Sequence, residues 1–208
     1  WQNKMMQQYS ITTQRQLQAQ LSAIFNFAVK FYGLRRNPAR IAGCIGSVKS
    51  GRLDYWTLEE FNKAIACEEN ESCRTAFIVL FYSGLRAGEL LALRLDDYNR
   101  EEKTITVSKT LTRVKGGLII TTPKTEKSNR TIKLPLIAAK QLEQHIATLY
   151  EPKGDDRIFF SLSHQKLGIC LKQDAEKAGV KKIRVHDLRH SHASLLINNN
   201  VNIKAVSD

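Results

Sequence analysis

Three separated segments concentrate side chains suited to holding phosphate: Ser83-Gly84-Leu85-Arg86-Ala87-Gly88-Glu89, Pro123-Lys124-Thr125-Glu126-Lys127-Ser128-Asn129 and His186-Asp187-Leu188-Arg189-His190-Ser191-His192. Arg86 follows a glycine break and opens a helical pattern, so its planar fork can meet an anion near the positive end of a helix dipole. The same spacing equally allows an ion pair with Glu89 across one turn. His186 and Arg189 are three positions apart, which puts both on one face of a helix and within reach of one phosphate. An arginine gives two donors to nonbridging oxygens, and a histidine exchanges a proton near neutral pH. The competing reading has His186 capping the helix and Arg189 bridged to Asp187 or solvent. Lys124 is either a general acid or a solvated lysine that touches phosphate, with Lys127 and Lys115 as rivals for the acid role. His192 reads as a packed or hydrogen-bonded helix residue, and His190 as either facing the others or exposed.

The elements that must position these groups follow from periodicity. Residues 11–32 place Leu17, Leu21, Ile24, Phe25, Ala28 and Phe31 on a three-four spacing that predicts an amphipathic helix, ended by Gly33 and Pro38. A Gly-, Ser- and Lys-rich stretch follows and reads as a linker over residues 43–54. Thr57 and Glu60 form a capping-box pattern before Phe61, Ala64 and Ile65, and the apolar run over residues 76–82 predicts a buried helix. Another helix starts across residues 89–93. The period then changes, and residues 104–111, 118–122 and 130–134 predict three antiparallel strands, with Lys124 on the connection between the second and third. Helical patterns return over residues 137–150, 167–178 and 186–197. The expected class is α+β, mainly α, with a small three-stranded antiparallel sheet.

Composition bounds the partners. The 208-residue chain carries 32 basic and 20 acidic residues, a formal charge of +12, which favours a polyanion because neutralised phosphates release counterions. Nucleic acid leads, and an anionic membrane surface trails. No apolar run reaches the roughly 20 residues that span a bilayer, and no secretory signal is evident, so a cytosolic setting is the default expectation. Cys44, Cys67, Cys73 and Cys170 sit in no CxxC pair and beside no metal-spaced histidines, so they read as reduced, partly buried thiols with no zinc site.

Taken together and in this order, SGLRAGELLALRLDD around Arg86, TPKTEKSNRTIKLP around Lys124, and HDLRHSHASLL resemble the tyrosine recombinases, the integrases of phages and transposons. YGLRRNPA similarly matches the end of the helical core-binding domain of integrases from mobile elements. The resemblance implies that residues 1–42 are the last part of a core-binding domain that clamps DNA and residues 55–208 most of a catalytic domain. It implies site-specific recombination of double-stranded DNA in a bacterial cytoplasm through a 3′-phosphotyrosine intermediate, with no metal or other cofactor. Carried over, Arg86 and Arg189 clamp the scissile phosphate, His186 assists proton transfer, Lys124 is the acid for the leaving 5′ oxygen, and Glu89 supports the site. A homotetramer on DNA and accessory DNA-bending or directionality proteins are the partners so implied. The family's tyrosine nucleophile follows the HxxR segment, whereas Tyr9, Tyr32, Tyr55, Tyr82, Tyr98 and Tyr150 all precede Arg189. A chain truncated at both ends, lacking the nucleophile and inactive in covalent cleavage, is therefore expected.

Two other classes compete. A noncatalytic DNA-binding protein would use the same residues as plain phosphate contacts, but mere positioning has no need of a titratable histidine. A metal-dependent nuclease would use Asp96 and Asp97 or Asp155 and Asp156, yet adjacent carboxylates diverge and no third acid accompanies them.

Overall fold

A computed structural model describes residues 1–47, 54–121 and 129–199. The chain divides into two compact units, residues 1–52 and 53–208. In the first, α1 (Gln2–Gln8), α2 (Ile11–Phe31) and α3 (Pro38–Ile41) follow one another. Ser10 caps α2 by accepting from the Thr13 amide, and Asn37 caps α3, whose Pro38 sits in the first turn where its missing N–H costs nothing. The periodic stripe of α2 is only partly realised as a core face. Leu17, Leu21, Phe25 and Ala28 are half-buried, while Ile24 and Phe31 are exposed. The buried positions of α2 are Gln14 and Gln18, because the packing here is polar: Gln18 Nε2 donates to the Ala39 carbonyl at 2.9 Å, and Asn37 Nδ2 to the Ser22 carbonyl at 2.9 Å.

The second unit is mainly helical with a small antiparallel sheet. It runs through α4 (Leu58–Ala66), α5 (Glu71–Ser83), α6 (Ala87–Ala92), a 3-10 turn at Leu95–Asp97, β1 (Tyr98–Asn99), β2 (Thr104–Val107), β3 (Thr110–Val114), β4 (Gly117–Thr121), β5 (Arg130–Lys133), α7 (Leu136–Ala147), α8 (His164–Lys177) and α9 (Asp187–Asn198). The expected capping box is present: Thr57 Oγ1 accepts from the Glu60 amide, and the Glu60 carboxylate accepts from the Thr57 amide. Past its polar first turn helix α5 is apolar on all sides and accordingly buried, with Ala76, Phe77, Val79, Leu80 and Phe81 in that stretch. Phe81 stacks on Phe61 of α4 at 3.9 Å between ring centroids.

The three-stranded sheet has a membership the sequence did not indicate. The run over residues 104–111 breaks at Ser108-Lys109 into two strands that join different sheets. β1, β2 and β5 form the three-stranded sheet in that order, whereas among the described residues β3 and β4 pair with each other, as a hairpin across the Lys115-Gly116 turn. Among the described residues β4 and β5 are not paired with each other, and Lys124, which falls between them in sequence, lies outside those residues.

Helix α9 is fastened to the start of its unit. Ser191 Oγ accepts from the Trp56 amide at 2.9 Å and donates to the Asp187 carbonyl at 3.0 Å, and Trp56 Nε1 donates to the Lys181 carbonyl at 2.7 Å. These bonds fix the rotation of α9, and with it the directions of His186, Arg189 and His192.

Candidate phosphate-binding site

Helix α5 stops at Gly84, whose backbone is left-handed at φ +64°, a conformation glycine adopts without a Cβ penalty. Its turn brings the first and third polar segments together. Arg189 Nη1 donates to the Gly84 carbonyl at 2.6 Å, and His192 Nδ1 lies 2.8 Å from the Phe81 carbonyl. A Cβ on Gly84 would stand 2.6 Å from Cδ2 of His192, so glycine is needed for space as well as for φ.

Glu89 organises the other side. It is buried, and its Oε2 accepts from the Arg86 amide at 2.9 Å while Oε1 accepts from Arg86 Nη1 at 2.9 Å. The carboxylate also takes a two-pronged contact from Arg130, Nη2 to Oε2 at 2.7 Å and Nη1 to Oε1 at 3.2 Å. The anion at the start of α6 is thus Glu89 itself, so an outside anion would meet the guanidinium groups and not the helix end. Arg86 does form the local ion pair with Glu89, yet its side chain remains 57% exposed and keeps donors toward solvent.

Burial acts first to lower the pKa of Arg189, and the charges of Arg86 and Arg130 lower it further while Glu89 opposes them. Arg86 and Arg130 bond the Glu89 carboxylate, and Arg189 lies within its electrostatic reach while bonding the Gly84 carbonyl. Such an excess of positive charge, held on fixed groups, is suited to an oxyanion. Burial likewise comes first in raising the Glu89 pKa, but the bonds from Arg130 and Arg86 outweigh it and the net shift is downward.

His186 occupies the N-cap position of α9 without a capping hydrogen bond from its side chain. Its ring meets that of His190 edge-on at 5.4 Å. The surrounding protein desolvates the imidazole and lowers its pKa, as do His190, Arg184 and Arg189, against an opposing effect of Asp187. Asp187 does not take Arg189; it accepts from Arg184 Nε at 3.0 Å and Nη2 at 2.9 Å. His192 is the packed helix residue its neighbours imply, with burial holding its pKa down.

Arg130 is the member of the cluster that the sequence reading passed over. Within β5, Arg130 and Ile132 are half-buried while Thr131 and Lys133 are exposed. An arginine in phase with the inward residue of a strand was the available signal. Lys124 and its rival Lys127 lie outside the described residues, and Lys115 is exposed in the turn between β3 and β4. Of the acids considered for a nuclease, Asp97 is held by Lys109 Nζ at 2.7 Å and 2.9 Å, and Asp156 accepts from the Lys153 amide at 2.9 Å. Neither pair belongs to a metal-competent group among the described residues.

The model of the Phage integrase family matches residues 52–208. The ICEBs1 integrase of Bacillus subtilis (strain 168) is 32% identical over 191 residues, which cover 85% of this chain and 52% of that protein. The integrase of Staphylococcus phage L54a is 34% identical over 140 residues, covering 60% of this chain and 40% of the relative. The chain therefore spans about half the length of curated relatives it matches. The Tn1549 transposon integrase in complex with a circular intermediate DNA superposes with a TM-score of 0.84 at 21% identity, covering 99% of this chain and 73% of that one. A lambda integrase dimer bound to a COC′ core site gives a TM-score of 0.68 at 18% identity with the same two coverages. At those identities the two structures speak for the fold. No helix among the described residues is long and apolar enough to cross a membrane.

Proposed function

The chain belongs to the phage integrase family of tyrosine recombinases, and on that premise we propose that the arginine cluster around Gly84 binds the scissile phosphate of double-stranded DNA in a site-specific recombinase. The observation that carries this reading is the meeting of Arg189 with the Gly84 turn beside the Arg86–Glu89–Arg130 network. Arg86 and Arg189 clamp the nonbridging oxygens, and Glu89 supports Arg86 from beneath. A pentacoordinate phosphorane carries extra negative charge, which prepositioned guanidinium groups stabilise without reorganising. His186 binds phosphate and assists proton transfer, with its depressed pKa favouring the neutral imidazole that can accept a proton. Lys124 is the acid that protonates the leaving 5′ oxygen, a role resting on its sequence context alone.

In the same reading, residues 1–42 are the last part of a core-binding domain and residues 55–208 belong to the catalytic domain. The complete protein cleaves and rejoins strands through a 3′-phosphotyrosine and assembles on DNA as a tetramer in a bacterial cytoplasm. The attacking tyrosine is none of the six in this chain. In support, Tyr98 donates its hydroxyl to Glu143 at 2.8 Å, Tyr82 packs edge-on against Phe61 and Phe81, and Lys181 lies over the Tyr55 ring.

The test combines binding with a covalent trap. The chain should bind duplex DNA with a steep salt dependence, and Arg189→Ala or Arg86→Ala should weaken binding by about tenfold or more, irrespective of sequence. On a nicked suicide duplex the chain should form no protein-linked band, whereas a version extended to include a following tyrosine should form one. Unchanged DNA affinity in both arginine variants would overturn the phosphate assignment. A covalent band from this chain would overturn the exclusion of its own tyrosines, and binding without nicking by the extended version would favour a noncatalytic DNA-binding protein.

A further inference from the structure

At the other end of α5 from the arginine cluster, two cysteines converge. Cys73 in the first turn of α5 and Cys170 in the middle of α8 are 97 residues apart, yet the Cys73 thiol donates to Cys170 Sγ at 3.2 Å. Glu68, in the connection between α4 and α5, completes a group whose ligand atoms all lie within 4.8 Å of one another. Asp174 is one turn beyond Cys170 on α8 and so shares its face.

The two carboxylates are unusual for their burial. Glu68 is 5% exposed and Asp174 3%, and neither Glu68 Oε2 nor Asp174 Oδ2 has a hydrogen-bond donor among the described residues. Buried carboxylate oxygens without donors carry a desolvation cost that a proton or a cation must relieve. Burial, followed by Glu68, raises the Asp174 pKa to about 7. Burial, followed by Cys170, also raises the Cys73 thiol.

We propose that Glu68, Cys73 and Cys170, beside the buried Asp174 carboxylate, form a binding site for a divalent cation of zinc's softness, which ties the α4–α5 connection to α8. Two thiols with carboxylates suit Zn²⁺ and its substitute Co²⁺, and disfavour Mg²⁺ and Ca²⁺, which select all-oxygen sets. Tetrahedral Zn–S bonds of about 2.3 Å would set the sulfurs about 3.8 Å apart, so the pair needs to open by roughly 0.6 Å. On binding, both thiol protons and any proton shared by the carboxylates leave to solvent, and the sulfurs ligate as thiolates. Lys166, whose charge acts on both thiols, and Lys177, whose charge acts on Asp174, offset part of the negative charge gathered there. The site lies at the opposite end of α5 from Gly84, about 16 Å along the helix axis. Its role is therefore to hold the scaffold, and it does not depend on the recombinase reading.

The test uses the whole chain, reduced and stripped with a chelator under anaerobic conditions, and titrated with Co²⁺ alone. One equivalent should produce a near-ultraviolet thiolate-to-cobalt charge-transfer band together with the visible bands of a tetrahedral ion, and Zn²⁺ should bleach both. Saturating Zn²⁺ should raise Tm by about 5–10 °C, and Mg²⁺ should not. Cys170→Ser should lose about half the charge-transfer intensity, one of two sulfurs being removed, and Glu68→Gln should keep the band but weaken the affinity on the order of tenfold. Zinc should also slow alkylation of Cys170 in the unmutated chain while leaving exposed Cys44 reactive, a readout that requires no variant to fold. The proposal is overturned if cobalt gives no thiolate band, if the band survives in a Cys73→Ser/Cys170→Ser double variant, or if zinc leaves the alkylation of Cys170 unchanged.

Discussion

Arg189 and Gly84 stand 105 residues apart in sequence and are joined by a single 2.6 Å hydrogen bond from the guanidinium to the glycine carbonyl. That bond sets the reach of Arg189 from α9 toward the Arg86 segment. It depends on a backbone turn that presents its carbonyl outward, and hence on the left-handed geometry of Gly84.

Gly84→Ala should therefore damage both stability and binding. The left-handed backbone costs a non-glycine residue about 1–2 kcal/mol, and the new methyl meets His192 Cδ2 at 2.6 Å, which forces a further shift. A fall in Tm of roughly 5–10 °C, with DNA affinity lowered even at temperatures where the variant is folded, is the expected result of thermal unfolding and fluorescence anisotropy measurements. Wild-type affinity in the folded variant would mean that the Gly84 carbonyl does not position Arg189.

Arg130→Ala should destabilise the protein more than its partly exposed side chain suggests, because it strips Glu89 of its two-pronged partner and leaves the buried carboxylate to Arg86. About 2–4 kcal/mol is expected from urea unfolding. The double variant Arg130→Ala/Glu89→Gln should recover part of that loss, since the uncompensated charge is then gone. A double variant no more stable than Arg130→Ala would count against the charge argument.

The pH dependence follows from the same carboxylate. Burial opposes ionisation of Glu89, but the bonds from Arg130 and Arg86 prevail, and its folded pKa lies below the unfolded value of about 4.3. The stability it contributes is fully present above that unfolded value and is lost as pH falls through the depressed folded one. Glu89→Gln should consequently flatten the acid limb of the stability curve below about pH 4.5, as followed by urea unfolding from pH 3 to pH 7. An acid limb of unchanged steepness would rule this linkage out.

His186 should titrate below the ordinary histidine value, because desolvation comes first and His190, Arg184 and Arg189 add to it against Asp187. Proton NMR of its ring signals would measure this directly. Duplex DNA should raise the value, since a nearby phosphate favours the imidazolium form. A His186 pKa that does not move on saturation with DNA would separate this residue from the phosphate.

Ser191→Ala should cost about 1–3 kcal/mol through loss of a donor's partner, because the buried Trp56 amide has its hydrogen bond to Ser191 Oγ. Urea unfolding would measure the loss. Hydrogen exchange at the Trp56 amide should accelerate along with it, and an amide as protected as in the unmutated chain would refute the link.

Local chemistry was legible in the sequence wherever neighbouring residues decide the outcome. The Thr57/Glu60 capping box, the apolar run that forms the buried part of α5, the glycine that ends it and a helix that starts at Asp187 behind His186 follow from periods and spacings within a few residues. Pairings across the chain were not legible. The strand run over residues 104–111 gives no local sign that β2 joins β5 while β3 joins β4, because a short break at Ser108-Lys109 reassigns the register. The half-buried face of Arg130, the reach of Arg189 to Gly84 and the meeting of Cys73 with Cys170 arise only when the helices pack around α5. Residue types and their order along the chain show which groups are able to carry charge and protons. The tertiary structure decided which of them meet, because contacts between residues 97 and 105 positions apart depend on the packing of whole elements and not on spacing.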